Sequence, residues 1–143
     1  MKELLIDASV ILKWYLPDEE FGAKALSLLH RHVGEEIALF APTILPYEVL
    51  NALIVAERMG RIDKEVTKKS FDAFLKLDIG LLDPFRDYPN VLSLARSFKK
   101  AVYDAAYLSL AMQKKTDFVT GDKQLYNSVN KELKWVKWIG EEE

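Results

Sequence analysis

Short apolar segments of strand length alternate along this chain with longer segments of helical periodicity. The pattern predicts strands at residues 4–6, 37–40, 79–82, 117–120 and 135–139. It predicts helices at residues 10–16, 19–33, 42–59, 63–77, 88–99, 102–114 and 125–130. In proteins that alternate in this way, right-handed crossovers join parallel strands. The sequence therefore predicts an α/β fold, with a parallel sheet of about five strands covered by helices on both faces.

Local signals set the predicted helix ends. Ser9 is the predicted N-cap of the first helix, and Pro17 ends it. Asp63 is the predicted cap of the fourth helix, and Gly34 and Gly60 are stop signals for the second and third. These signals agree with the apolar periodicity, so the elements are predicted by two independent features of the sequence.

Length and composition narrow the class of protein. A chain of 143 residues is within the range of one domain, so we expect a single domain over residues 1–143. The absence of Cys excludes disulfides, thiolate metal sites and cysteine nucleophiles, and fits a reducing compartment. The sequence shows neither a secretory signal nor an apolar segment of membrane length. We therefore expect a cytoplasmic protein without a membrane anchor.

Four acidic residues occupy positions at which their carboxylates are expected to lie close together. Asp7 follows the first predicted strand and Asp122 follows the fourth, while Glu48 and Asp104 lie within apolar helices. In open parallel sheets, ligands bind beyond the carboxyl ends of the strands, so the four can share one rim. A carboxylate in a segment patterned for burial needs a partner that offsets desolvation, and a cation is one such partner.

Each acid also has an ordinary structural interpretation. Asp7 is suited to cap the first helix, and Glu48 to complement a helix dipole. Asp104 is suited to cap its helix, and Asp122 to occupy a turn or a cap. The predicted placement of all four acids on one rim of the sheet favours the metal site, because acids that only cap separate helices would not be expected to lie together.

Four segments resemble, in order, the acidic motifs of one known family. They are DASVILKWYLPDEE at 7–20, PYEVLNAL at 46–53, YDAAYLSLA at 103–111 and FVTGDK at 118–123. They are similar to motifs of PIN-domain proteins of the VapC type, the nuclease half of type II toxin–antitoxin modules. The resemblance implies a three-layer α/β/α sandwich, an endoribonuclease that depends on Mg²⁺ or Mn²⁺, frequent homodimerisation and a cognate antitoxin.

Residue roles follow from this resemblance and from the preference of hard cations for oxygen ligands. Asp7 is the expected central metal ligand with Asp104 beside it, and Glu48 and Asp122 are expected to hold a second ion or its waters. Further roles are expected for two hydroxyls that orient carboxylates and for four lysines that contact the RNA backbone. These residues are Ser9, Thr120, Lys13, Lys99, Lys100 and Lys123.

Four aromatic or imidazole residues have structural interpretations. Trp14 and Tyr15 are able to stack bases, but their spacing next to Leu12 and Leu16 favours packing. His30 and His32 have no metal-ligand companions nearby in the sequence, so we expect both at the surface.

Other functions stay open at this point. An aspartyl-nucleophile hydrolase would carry a second Asp two residues after Asp7, where Ser9 stands. A receiver domain would carry adjacent acids after the first strand. A PIN nuclease of ribosomal or other RNA processing and a noncatalytic scaffold that binds RNA or a partner both remain alternatives. The net charge of −2 argues against binding of nucleic acid by bulk positive charge alone.

Overall fold

A five-stranded parallel sheet forms the centre of the molecule. The structure is a computed structural model, and it describes residues 1–83 and 87–142. The strands are β1 (Lys2–Ile6), β2 (Ile37–Pro42), β3 (Gly80–Leu82), β4 (Asp117–Thr120) and β5 (Val136–Trp138). Their spatial order is β3-β2-β1-β4-β5, and every neighbouring pair is parallel. The predicted parallel sheet of about five strands is thus confirmed.

The described residues include seven α-helices between and beside these strands. They are α1 (Ala8–Tyr15), α2 (Gly22–Val33), α3 (Leu45–Arg58), α4 (Lys64–Leu75), α5 (Tyr88–Phe98), α6 (Val102–Lys114) and α7 (Lys123–Val129). From β1 through β2 to β3, the chain moves towards one edge of the sheet. From β3 to β4 and β5, it moves towards the other edge. Right-handed crossovers therefore put α1 to α4 on one face and α5 to α7 on the other. This arrangement is the predicted three-layer α/β/α sandwich.

The two central strands explain why the apolar runs are nearly continuous. Leu5 and Ile6 of β1 are fully buried, as are Phe118 and Thr120 of β4. A strand covered by helices on both faces has no solvent side, so it does not alternate between apolar and polar residues. By contrast, β3 lies at the sheet edge, and its three residues are exposed or only partly buried.

Four helix starts differ from the prediction by two or three residues, since α1 begins at Ala8, α2 at Gly22, α3 at Leu45 and α7 at Lys123. The N-cap of α1 is Asp7, which accepts a hydrogen bond from the Val10 amide, so the prediction of Ser9 as the cap was wrong. Helix α2 begins at Gly22, three residues later than predicted, and Phe21 before it has a positive φ of 62°. The residues before α2 form a turn. Asp18 and Glu19 of this segment accept hydrogen bonds from the distant Arg61. These ion pairs join distant segments, which local periodicity does not reveal.

His32 has a structural role. Its Nδ1 accepts a hydrogen bond from the Leu39 amide at 3.1 Å, so its Nε2 carries the proton and donates to the Leu77 carbonyl at 2.9 Å. The imidazole thereby links α2 to β2 and to the turn after α4. The expectation that His32 is merely a surface residue was wrong. His30, in contrast, is exposed as expected.

Within residues 1–83 and 87–142, no helix is both long and apolar enough to cross a membrane.

Candidate metal centre

The four predicted acids lie at the carboxyl-end rim of the sheet or in the first turn of a helix. Asp7 directly follows β1, and Asp122 follows β4, which pairs with β1 in the register Ile6 to Val119. Glu48 lies in the first turn of α3 and Asp104 in the first turn of α6. Helix α3 follows β2, the other neighbour of β1, so the rim gathers residues from both sides of the central strand.

Asp7 is held by hydroxyl groups on both of its oxygens. The Thr120 hydroxyl donates to Oδ2 at 2.6 Å, and the Ser9 hydroxyl donates to Oδ1. Each hydroxyl also accepts a backbone amide from the loop after β4. Gly121 N donates to Ser9 Oγ at 2.7 Å, and Asp122 N donates to Thr120 Oγ1 at 3.1 Å. The carboxylate of Asp7 therefore has a fixed orientation relative to Asp122.

Asp7 is also an unfavourable place for a negative charge. Burial is the largest effect on its pKa, which is raised to about 6. Hydrogen bonds from Ser9, Thr120 and the Val10 amide lower the pKa, while the Asp122 carboxylate raises it further. A charge whose burial is not compensated by the surrounding groups is stabilised by a cation.

Glu48 is bound by a buried tyrosine from α6. The Tyr107 hydroxyl donates to Glu48 Oε1 at 2.7 Å, and the Tyr107 ring stacks on Phe118 with centroids 5.7 Å apart. Burial raises the pKa of Glu48, the Tyr107 hydrogen bond lowers it, and Asp104 raises it. Burial also raises the pKa of Tyr107, and the Glu48, Asp7 and Asp104 charges act in the same direction. Tyr107 thus lies in the field of three of the four acids.

Asp104 interacts electrostatically with two of the other three acids. Burial raises its pKa, Asp122 raises it further, and Lys100 lowers it. The interactions run from Asp7 to Asp122, from Asp122 to Asp104 and from Asp104 to Glu48. The structure therefore brings all four predicted acids into one electrostatic cluster.

The cluster fits a hard cation in its chemistry but is not a closed ligand cage. Among the described residues, no three Asp, Glu, His or Cys side chains stand in position to hold a metal ion together. The donors are carboxylates, which suit Mg²⁺ or Mn²⁺, and Mg²⁺ retains several waters and binds through one or two carboxylates. Burial and, to a smaller extent, neighbouring carboxylates raise the pKa of Asp7, Glu48 and Asp104, so a cation would stabilise their charged forms. We conclude that the donor set fits a partly hydrated divalent cation.

Tyr107 is the residue of this site that sequence reasoning missed. A signal for it is present, because Tyr107 follows Asp104 by three residues, and residues at that spacing share one face of a helix. Its 2 % exposure and its bond to Glu48 distinguish it from Tyr103, which is 61 % exposed.

The four predicted RNA-binding lysines have different surroundings. Lys13 is buried, and its ammonium lies 3.5 Å from Glu19, so it packs beneath the rim and has little surface to offer RNA. Lys123 is exposed and lies over an aromatic ring. Lys99 is exposed and Lys100 is partly buried near Asp104. The indole of Trp14 donates to the Ala25 carbonyl at 2.8 Å, in agreement with the packing interpretation.

A cavity in the described part of the chain lies away from the four acids. It has a volume of about 620 Å³ and is lined by residues that include Glu3, Ile37 and Gly80, near the amino ends of β1 to β3.

Comparisons with known proteins agree with the fold. The chain is similar to the crystal structure of PAE2754 from Pyrobaculum aerophilum, with a TM-score of 0.71 and 23 % identity over 97 % of this chain and 92 % of that one. At this identity, the likeness shows the fold alone. A search of curated proteins gave no match. The family model described as the PIN domain matches residues 4–130. PIN domains are generally nucleases and typically use divalent metal ions. The chain belongs to the PIN-domain family.

Proposed function

We propose that this PIN domain is a Mg²⁺-dependent endoribonuclease, with Mn²⁺ as a possible substitute, and the toxin of a type II toxin–antitoxin module. The observation that carries the nuclease proposal is the electrostatic cluster of Asp7, Glu48, Asp104 and Asp122 at the rim of the sheet. A fold alone does not define an activity, so the site has to support it.

The residues at this centre have different proposed roles. Asp7 is the central ligand, because Ser9 and Thr120 orient both of its oxygens. Asp104 interacts electrostatically with both Asp122 and Glu48, so it is proposed as the ligand beside Asp7. A divalent ion bound there would act as a Lewis acid on the phosphate and lower the pKa of its coordinated water. The product is a hydrolysed RNA phosphodiester bond.

Substrate binding fits the charge distribution. The net charge is −2, which argues against binding of nucleic acid by bulk positive charge alone. Lys99, Lys100 and Lys123 are proposed to contact the RNA backbone, with Lys100 close enough to Asp104 to lower its pKa. A cation at the acidic cluster would supply the remaining attraction for a phosphate.

The toxin assignment, the cognate antitoxin, the homodimer and the cytoplasmic location form the finer part of the proposal. They are supported by the similarity of residues 7–20 and of the three later motifs to proteins of the VapC type. Residues 1–143 are proposed to form one PIN domain, since the matched family region spans residues 4–130.

Cleavage of a labelled single-stranded RNA tests the nuclease proposal. We expect cleavage with Mg²⁺, none with EDTA, and a loss of about 100-fold or more in Asp104→Asn, since even partners of metal ligands contribute roughly 10- to 100-fold. Asp72→Asn is the matched control, because Asp72 lies exposed on α4 away from the cluster. Cleavage that persists in EDTA or in Asp104→Asn would exclude the metal mechanism. A native protein that binds RNA without cutting it would favour the scaffold alternative.

Tyr107→Phe should weaken metal binding while the fold persists. The change removes only the hydroxyl that fixes Glu48, and the ring that stacks on Phe118 remains. We expect the affinity for Mn²⁺, measured by titration calorimetry without RNA, to fall by roughly 10-fold, the lower end for loss of a group that orients a ligand. The control is Tyr103→Phe on the exposed side of the same helix. Equal Mn²⁺ affinity in the two variants would show that Tyr107 merely fills the core.

A further inference from the structure

An aromatic cluster lies next to the fourth acid. The Lys123 ammonium is 3.5 Å from the centroid of the Trp138 ring and 5.1 Å from that of Tyr126. Phe21 meets Trp138 edge-on, with centroids 5.0 Å apart. Lys123 is exposed, and the three aromatic residues are partly buried. The Lys123 ammonium therefore lies over a face of the indole, and a lysine ammonium is a strongly hydrated group on a flexible stem.

The position of this cluster links it to the metal centre. Trp138 is the register partner of Thr120, whose hydroxyl binds Asp7. Neighbouring strands are about 4.8 Å apart, so Trp138 lies one strand away from the residue that orients the central ligand. Lys123 directly follows Asp122 in the sequence. A strand of RNA with a phosphate at the acids would have a nearby nucleotide within reach of the indole.

The indole is also held in place. A Cβ added to Gly140 would lie 2.5 Å from a carbon of the Trp138 ring, so the backbone at Gly140 packs directly against the indole. The Gly140 carbonyl in turn accepts a hydrogen bond from Lys24 at 2.5 Å. A ring fixed in this way loses little freedom when a ligand stacks on it.

We propose that Trp138 is a stacking platform for a nucleobase of the RNA near the cleaved phosphate, and that Lys123 leaves the ring to bind a phosphate when the base arrives. The proposal rests on the proposed nuclease function and names a substrate contact of that same site. It gives Lys123 two alternating partners, the ring in the free protein and the RNA backbone in the complex.

Relative magnitudes favour this exchange. A cation over an exposed aromatic ring contributes about 2- to 5-fold to an equilibrium, and a base stacked on an aromatic side chain about 5- to 150-fold. The lysine moreover regains an opposite charge at the phosphate. The exchange therefore runs towards the stacked complex. Because every base has a π face, the platform would bind RNA without strong sequence preference.

Tryptophan fluorescence in EDTA tests the platform without cleavage. A short single-stranded RNA should quench the native protein, and an oligonucleotide with the same sugar–phosphate backbone but no bases should not. Trp138→Phe should lose most of the quench. Trp135→Phe should keep it, because Trp135 precedes β5 at the opposite end of the strand. Equal quenching by the base-free oligonucleotide, or an undiminished quench in Trp138→Phe, would overturn the proposal.

Affinity measurements in EDTA supply a second readout. Lys123→Met should reduce the slope of log affinity against log salt by about one, the signature of a lost phosphate contact. Lys137→Met is the control, since Lys137 is exposed on the same strand as Trp138 but points to the other face of the sheet. An unchanged slope in Lys123→Met would remove the second half of the proposal. Quenching without Mg²⁺-dependent cleavage would keep the platform and refute the nuclease, and cleavage without quenching would do the reverse.

Discussion

Asp7→Asn should abolish RNA cleavage and at the same time stabilise the metal-free protein. Activity should fall by roughly 100-fold or more, because the central metal ligand loses its charge. Stability should rise because burial and the Asp122 charge hold the pKa of Asp7 at about 6, well above its ordinary value of 3.8. Asn keeps an oxygen for the Ser9 hydroxyl, while the Thr120 hydroxyl is free to turn and accept from the new amide.

The sign of the pH dependence follows from the direction of this shift. The folded state binds the proton more tightly than the unfolded state, so the free energy of unfolding falls as pH rises from about 4 to about 6. Above that window, the native protein carries a constant penalty of at most about 3 kcal/mol from Asp7. The raised pKa values of Glu48 and Asp104 act in the same direction.

Urea unfolding in EDTA across this pH window measures the effect. Asp7→Asn should exceed the native protein by about 1 to 3 kcal/mol near neutral pH, and the gap should close towards pH 4. Asp117→Asn is the control, because it makes the same chemical change at the opposite end of β4. With Mg²⁺ present, the gap should narrow, since only the native protein gains stability from the ion. A variant less stable than the native protein near neutral pH would contradict the electrostatic account.

Gly121→Ala should damage both the fold and the metal centre. The added Cβ would lie 2.7 Å from Lys13 Cε and 3.1 Å from both the carbonyl oxygen and the Oγ of Ser9. The flexible end of the Lys13 side chain would have to shift, and Ser9, which lies in helix α1, would have to give by a few tenths of an ångström. Overpacking of this kind costs about 1 to 3 kcal/mol. It also pushes Ser9 away from Asp7 and loosens the hydroxyl that orients the carboxylate.

Thermal melting and Mn²⁺ titration of this variant check both parts of the expectation. Gly22→Ala is a matched control, because its added Cβ would lie 3.7 Å from the Lys13 carbonyl, which is an ordinary contact. We expect Gly22→Ala to melt and bind Mn²⁺ like the native protein. If Gly121→Ala behaved in the same way, the loop after β4 would be more adaptable than its contacts indicate.

The parallel sheet was predictable because its strands and helices carry strong, separate periodicities. The four acids were predictable as a group because parallel strands deliver their carboxyl ends to one rim, so Asp7 and Asp122 had to approach each other. Asp7 also serves as the N-cap of α1 and Asp122 as the N-cap of α7, so the capping interpretation of these two residues is confirmed, and their metal-binding role stays a proposal.

What the sequence could not reveal are contacts between segments that are distant in the chain. Lysine is usually a surface residue, yet Glu19 and the loop at Gly121 enclose Lys13. The pairing of Tyr107 with Glu48 joins two helices on opposite faces of the sheet. Neither contact leaves a periodic trace, because each depends on how two elements are placed in three dimensions.

The hydrogen bond between Thr120 and Asp7 has a consequence for the timing of synthesis. The two residues are 113 positions apart, although β1 and β4 are neighbours in the sheet. Contacts of such high contact order form late in folding, because a long loop has to close first. A nascent chain that still has Thr120 inside the ribosome carries Asp7 and Glu48 but lacks the residues that complete the centre. The acidic cluster is thus assembled only when most of the chain has emerged, and incomplete chains released early lack the proposed catalytic site.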